Sequence, residues 1–143
     1  MIGWRLLVVA LAMVGCRNAP ASDNQADSSP PSLPDLSAGL AAPEAAVKRF
    51  FTAAEGEDCP TLAELLILPD AGTLTAEGCE AITHDFTESK AHLLRIIESK
   101  VDGRDKRVVL VSTEVEYQKK KSGNLHQWVI RAEWRGGVWK VRF

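Results

Sequence analysis

Tyr117, the only tyrosine in the chain, and His126 are the side chains best placed for acid–base chemistry. A phenol can donate a hydrogen bond to a developing oxyanion, and an imidazole titrates near neutral pH. Both fall on the apolar face of a predicted hairpin, with Tyr117 beside Trp128. His84 and Asp85 offer the right residue types for a dyad, but neighbours on a helix point about 100° apart. The inward positions otherwise hold Trp, Val, Ile and Phe, with no carboxylate to act as a base. The sequence has no Gly-rich phosphate loop, no nucleophile elbow and no paired carboxylates at useful spacing. A zinc site needs Cys and His at short spacings, whereas His84, His92 and His126 are scattered. We therefore expect no catalytic residues, no metal and no cofactor. Tyr117, Trp128, Ile130 and Trp134 are the candidate pocket, suited to a small apolar or amphipathic molecule.

Positioning these residues falls to the C-terminal part of the chain. Gly136-Gly137 is a strong two-residue hairpin turn, because glycine takes φ > 0 without steric cost. Centring the turn there pairs Trp134 with Trp139, Ala132 with Val141 and Ile130 with Phe143. One face is then apolar, while the other carries Glu133 opposite Lys140 and Arg131 opposite Arg142. Such a split means that one face packs and the other meets water. Upstream, a turn at Ser122-Gly123 pairs Tyr117 with Trp128 and Val115 with Ile130, and sets Glu114 beside Arg131. A turn at Gly123-Asn124 would set Glu114 beside Glu133, and like charges opposite each other are unfavourable, so the first register is preferred. Asp102-Gly103 marks another hairpin. A two-residue turn there pairs Glu98 with Arg107 and puts Leu94 and Ile96 on the apolar face; a three-residue loop would flip that strand. The outcome is a four-stranded antiparallel meander.

The chain has 143 residues, enough for one domain, and its 45% hydrophobic and 25% charged content is that of a globular protein. Charge is unevenly spread: residues 43–89 carry a net −8 and residues 90–143 a net +7. A helical half that is acidic and a strand half that is basic attract each other across one domain.

Three helices precede the meander. Pro43 and Glu44 suit the first turn of a helix over 43–55, whose Val47, Phe50, Phe51 and Ala54 form one stripe. Asp58 or Cys59 caps a short helix with Pro60 near its start and Leu62, Leu65 and Leu66 inward. Thr75 caps a third helix to about residue 87, with Cys79, Ile82 and Phe86 inward. The exit from this helix is open to two readings, since Leu93, Leu94, Ile96 and Ile97 also suit a helical extension.

Residues 1–15 read as a signal peptide: Trp4-Arg5, then nine apolar residues, too few to span ~30 Å of hydrocarbon. Met13-Val14-Gly15-Cys16 resembles a bacterial lipoprotein box. That resemblance implies lipid on Cys16 as the first mature residue, and hence a place on the cell envelope. With Arg17 rather than Asp after the Cys, it implies sorting to an outer membrane, facing the periplasm, where the cell has one. Otherwise the anchor holds the protein on the outer face of the cell membrane. Residues 18–42 are rich in Ser, Pro, Ala and Asp without periodicity and read as a flexible linker, leaving 43–143 as the domain. An exported domain meets an oxidising compartment, so Cys59 and Cys79 are expected to form a disulfide.

Three helices followed by a long curved meander ending in Gly136-Gly137-Val138-Trp139-Lys140-Val141 resembles the nuclear-transport-factor-2-like superfamily. The likeness is to its small exported lipoproteins in particular. Asp58-Cys59-Pro60, the second Cys and Val101-Asp102-Gly103 fit that group too. The resemblance implies an α+β, cone-shaped domain with a pocket, of which some relatives are isomerases or SnoaL-type cyclases. From the residues we expect a non-catalytic binding or interaction domain. Leu93, Ile97, Val101, Val108 and Leu110 gather on the face opposite the tryptophans and are expected to form a homodimer or partner interface. Lys119, Lys120 and Lys121 read as a solvated hairpin tip. No nucleic-acid partner is expected.

Overall fold

The computed structural model describes residues 32–37, 39–69, 72–118 and 125–143, so the signal peptide, Cys16 and most of the linker lie outside the described residues. Helices α1 (Ala41–Glu55), α2 (Cys59–Leu65) and α3 (Ala76–Ser89) precede strands β1 (Ala91–Asp102), β2 (Asp105–Tyr117), β3 (Leu125–Arg135) and β4 (Val138–Arg142). The strands form one antiparallel sheet in the order β1-β2-β3-β4. The domain is thus α+β, with three helices and a four-stranded meander.

α2 and α3 start where the sequence provides a cap. The Asp58 carboxylate accepts the Thr61 N–H at 3.1 Å and the Thr75 hydroxyl accepts the Gly78 N–H at 3.0 Å, satisfying donors that a helix start leaves unpaired. α1 starts two residues earlier than expected, at Ala41, which leaves Pro43 and Glu44 within its first turn. α3 ends because Lys90 turns left-handed (φ 47°), and Ala91 opens a strand. Leu93 to Ile97 are therefore strand, and the helical extension does not form.

The core lies between α1 and the sheet. Val47, Phe50, Phe51 and Ala54 present the apolar stripe of α1. They meet Val109, Val111, Val115, Ile130, Ala132 and Val141, which point inward at alternate strand positions. Burying each of the Val, Ile and Phe side chains among them stabilises by about 1.5–3 kcal/mol. Thr113 is fully buried in the same row, where its hydroxyl meets the Trp128 carbonyl at 3.2 Å. The disulfide Cys59–Cys79 ties the start of α2 to the first turn of α3, with a Cα–Cα distance of 5.7 Å. After α2 the chain runs beside β4, where Leu66 bridges Val141 and the Ile67 N–H donates to the Val141 carbonyl at 2.8 Å.

The β3–β4 hairpin has the expected register, Trp134 opposite Trp139 and Ala132 opposite Val141, with Gly136 and Gly137 at φ 58° and 81°. The β2–β3 register differs from both expected ones. Thr113 opposes Trp128 and Val111 opposes Ile130, a shift of four residues that keeps every side chain on its face. Glu114 faces Gln127 on β3, neither Arg131 nor Glu133, and takes its ion pair from Arg95 on β1, at 2.8 Å. β1 departs further, with irregular pairing between Leu93 and Arg95 and again between Ile96 and Glu98. The extra residues there, Leu94 and Ile97, are 45% and 43% exposed, so Leu94 is not on the apolar face. Leu93 and Ile96 pack on the core instead.

Candidate functional site: an aromatic cleft between α3 and the sheet

The inward stripe of α3 and the ends of β2 and β3 enclose a cleft of about 600 Å³. Its floor follows from ordinary core packing that runs out of helix to cover it. Phe86, one turn after Ile82, is buried and stands edge-on to Trp128, with centroids 6.1 Å apart at 89°. Trp128 also meets Phe51 at 5.8 Å and Phe143 at 5.2 Å. Phe143 is 64% exposed and lines the cleft, with its ring 5.2 Å from Phe50.

Tyr117 closes one wall. It lies diagonally across the β2–β3 pair from His126, whose ring stands edge-on at 4.9 Å, and 5.9 Å from Trp128. Burial, and then the negative charge of Asp85, hold the Tyr117 phenol above its usual pKa of 10.0, so it is a protonated donor at neutral pH. His84, Asp85, Glu88 and Ser89 line the opposite rim from α3. His84 and Asp85 reach the same cleft despite their angular separation, but no hydrogen bond joins them among the described residues. His126 is half-buried, and its Nε2 has no hydrogen-bond partner among the described residues. The site can therefore hold an apolar body against aromatic faces and meet a polar end with one phenol and a mixed rim. Among the described residues no group of three His, Cys, Asp or Glu side chains is arranged to hold a metal ion.

The four residues expected to form the pocket divide. Tyr117 and Trp128 line the cleft, and Ile130 is buried in the core with 2% exposure. Trp134 lies toward the other end of β3, against Trp139 at 5.5 Å, and its indole N–H donates to the Ser32 carbonyl at 2.9 Å. Phe86 and Phe143 were legible as inward-facing, but nothing in their spacing marked them as cleft floor. The residues expected at an interface divide as well: Ile97 and Val101 are exposed, Leu110 is half-buried, Val108 is buried at 2%, and Leu93 joins the core.

The outward face of β3 and β4 holds a charged cluster that the expected pairs did not anticipate. The Glu133 side chain is only 8% exposed. It accepts from Arg131 Nε at 2.8 Å, Arg142 Nε at 3.0 Å, and Arg135 Nε and Nη2 at 2.9 and 2.7 Å. Arg131 and Arg135 are two residues either side of it on one face, and Arg142 is diagonal on β4. Burial pushes the Glu133 carboxyl up, but hydrogen bonds from Arg142, Arg135 and Arg131 outweigh it and bring the pKa down to about 2.

Compared with known protein families and with curated protein sequences, the chain matches none.

Proposed function

We propose that this chain is an exported lipoprotein, anchored through Cys16, whose domain is a non-catalytic binding module of the nuclear-transport-factor-2-like type. We further propose that the cleft between α3 and the sheet takes a small apolar molecule with one polar end. The observation that carries this reading is the cleft itself. Trp128, Phe86 and Phe143 present aromatic surface at its floor, beside a phenol held as a donor. Concave sites with an apolar lining and a few convergent polar groups are the usual form of small-ligand sites. Export is supported by the Cys59–Cys79 disulfide, which belongs to oxidising compartments. The superfamily reading is supported by the order of elements, three helices and then a four-stranded antiparallel meander.

The test is thermal-shift screening of the full chain with fatty acids, sterols and aromatic acids, followed by titration of tryptophan fluorescence. A ligand of this cleft raises the melting temperature and loses its effect in Ala81→Phe, which fills the cleft from an exposed helix position. Tyr117→Phe removes the donor and weakens the ligand roughly two- to tenfold. Hits that survive both substitutions, or a library with no hit, overturn the reading.

A further inference from the structure

A second concavity, of about 800 Å³, lies on the opposite side of the sheet from the helices, and arginine dominates it. Arg107, Arg131, Arg135 and Arg142 line it, with Trp134 and Ser32 at its margin. The carboxylates present are Asp105 and Glu133, and Asp102 stands 3.9 Å from Arg131. Arg107 is matched by Asp105, through Nε and Nη2 at 3.0 Å each. The other three arginines converge on one carboxylate, which leaves that group of four side chains with two positive charges in excess. Lys140, opposite Glu133 on the same face, adds to the excess.

Three features mark this as more than a surface ion pair. Arg131 and Arg142 stand directly opposite each other across β3 and β4, an arrangement that costs stability unless something holds them together. Glu133, almost shielded from water, does so by taking one Nε from each. Contacts through Nε leave guanidinium ends for another acceptor: among the described residues both Nη groups of Arg142 have no hydrogen-bond partner. The arginine forks are thus fixed in place before any ligand arrives, which is how planar guanidiniums best receive tetrahedral oxyanions. These arginines line the concavity of about 800 Å³.

We propose that this arginine-lined cleft is a binding site for a phosphate-bearing anion. Arg131, Arg135 and Arg142 hold the phosphate, and Glu133 positions them beneath it. The phosphate comes from a soluble ester or from the headgroup of an anionic phospholipid; both present the same oxygens. The site is separate from the aromatic cleft and does not depend on a ligand there.

Two probes test it on the full chain: glycerol 3-phosphate by calorimetry, and phosphatidylcholine vesicles with or without phosphatidylglycerol by flotation. Binding of glycerol 3-phosphate assigns a soluble ester, and binding only to phosphatidylglycerol vesicles assigns the headgroup; either supports the site. Arg142→Gln weakens that binding by about tenfold or more, and Arg142→Lys, which keeps charge without the fork, by less. Arg135→Gln, at a half-exposed position, gives the same loss and serves should Arg142→Gln fail to fold. Ala81→Phe leaves it unchanged. Neither probe binding the parent chain overturns the proposal. So does binding undiminished in both arginine variants, which would trace it to Lys119, Lys120 and Lys121 instead.

Discussion

Replacing Glu133 by glutamine tests the energetics of the outward face directly. In the folded chain its pKa is about 2, against an ordinary 4.5. At the usual conversion this difference sets an upper bound of about 3 kcal/mol at neutral pH. The three arginines are about half exposed, so solvent screening brings the expected figure to about 2–3 kcal/mol. The sign follows from a depressed folded pKa. Unfolded chains take up the proton near 4.5 and the folded protein only near 2, so the stabilisation is complete above pH 4.5 and lost as pH falls toward 2. Urea unfolding of the parent and Glu133→Gln, from neutral pH downward, should show a gap of that size that closes across this window. Other carboxylates with lowered pKa values, such as Asp58 and Asp105, act in both proteins and cancel in the comparison. A gap that is absent at neutral pH, or that persists unchanged to the acid end, refutes the reasoning.

Reducing the Cys59–Cys79 bond should cost about 3 kcal/mol of stability, from its separation of 20 residues, read as a lower urea midpoint in reductant. Protein purified without reductant should yield a linked peptide pair by mass spectrometry, and two alkylatable thiols would contradict it. Cys16→Ser should release the chain from the membrane fraction of cells that make it; membrane association that is unchanged would count against the anchor.

The helices were legible because their ends are written locally: Asp58 and Thr75 accept from N–H groups three residues on, and Pro60 needs no donor at a helix start. The β3–β4 hairpin was legible to the residue because only glycine readily fits both positive-φ positions of its turn. The β2–β3 register was not. Two alternative turns fit the sequence between these strands, and the cation that Glu114 takes, Arg95, sits on a third strand. β1 was read as strictly alternating, but Leu93-Leu94 and Ile96-Ile97 are apolar pairs, and extra residues between paired positions let one of each pair turn inward. Face assignment placed Tyr117 and Trp128 correctly with each other, whereas Trp134, six residues along the same strand, is about 20 Å away from Trp128. A shared face does not make a shared site. Glu133 was read as the partner of Lys140, because cross-strand pairing shows direct opposites and hides diagonals.

The two outer margins of the sheet differ from its middle. β1 carries bulges that leave Leu94 and Ile97 outside the ladder, and β4 is flanked by the segment that follows the disulfide-held α2. An unguarded margin is a template on which a second chain can add as a strand, and repeated addition gives a fibre. Bulging distorts one such template, and the strap at Leu66 and Ile67 occupies part of the other. Guarding both margins disfavours edge-to-edge addition of one copy to another.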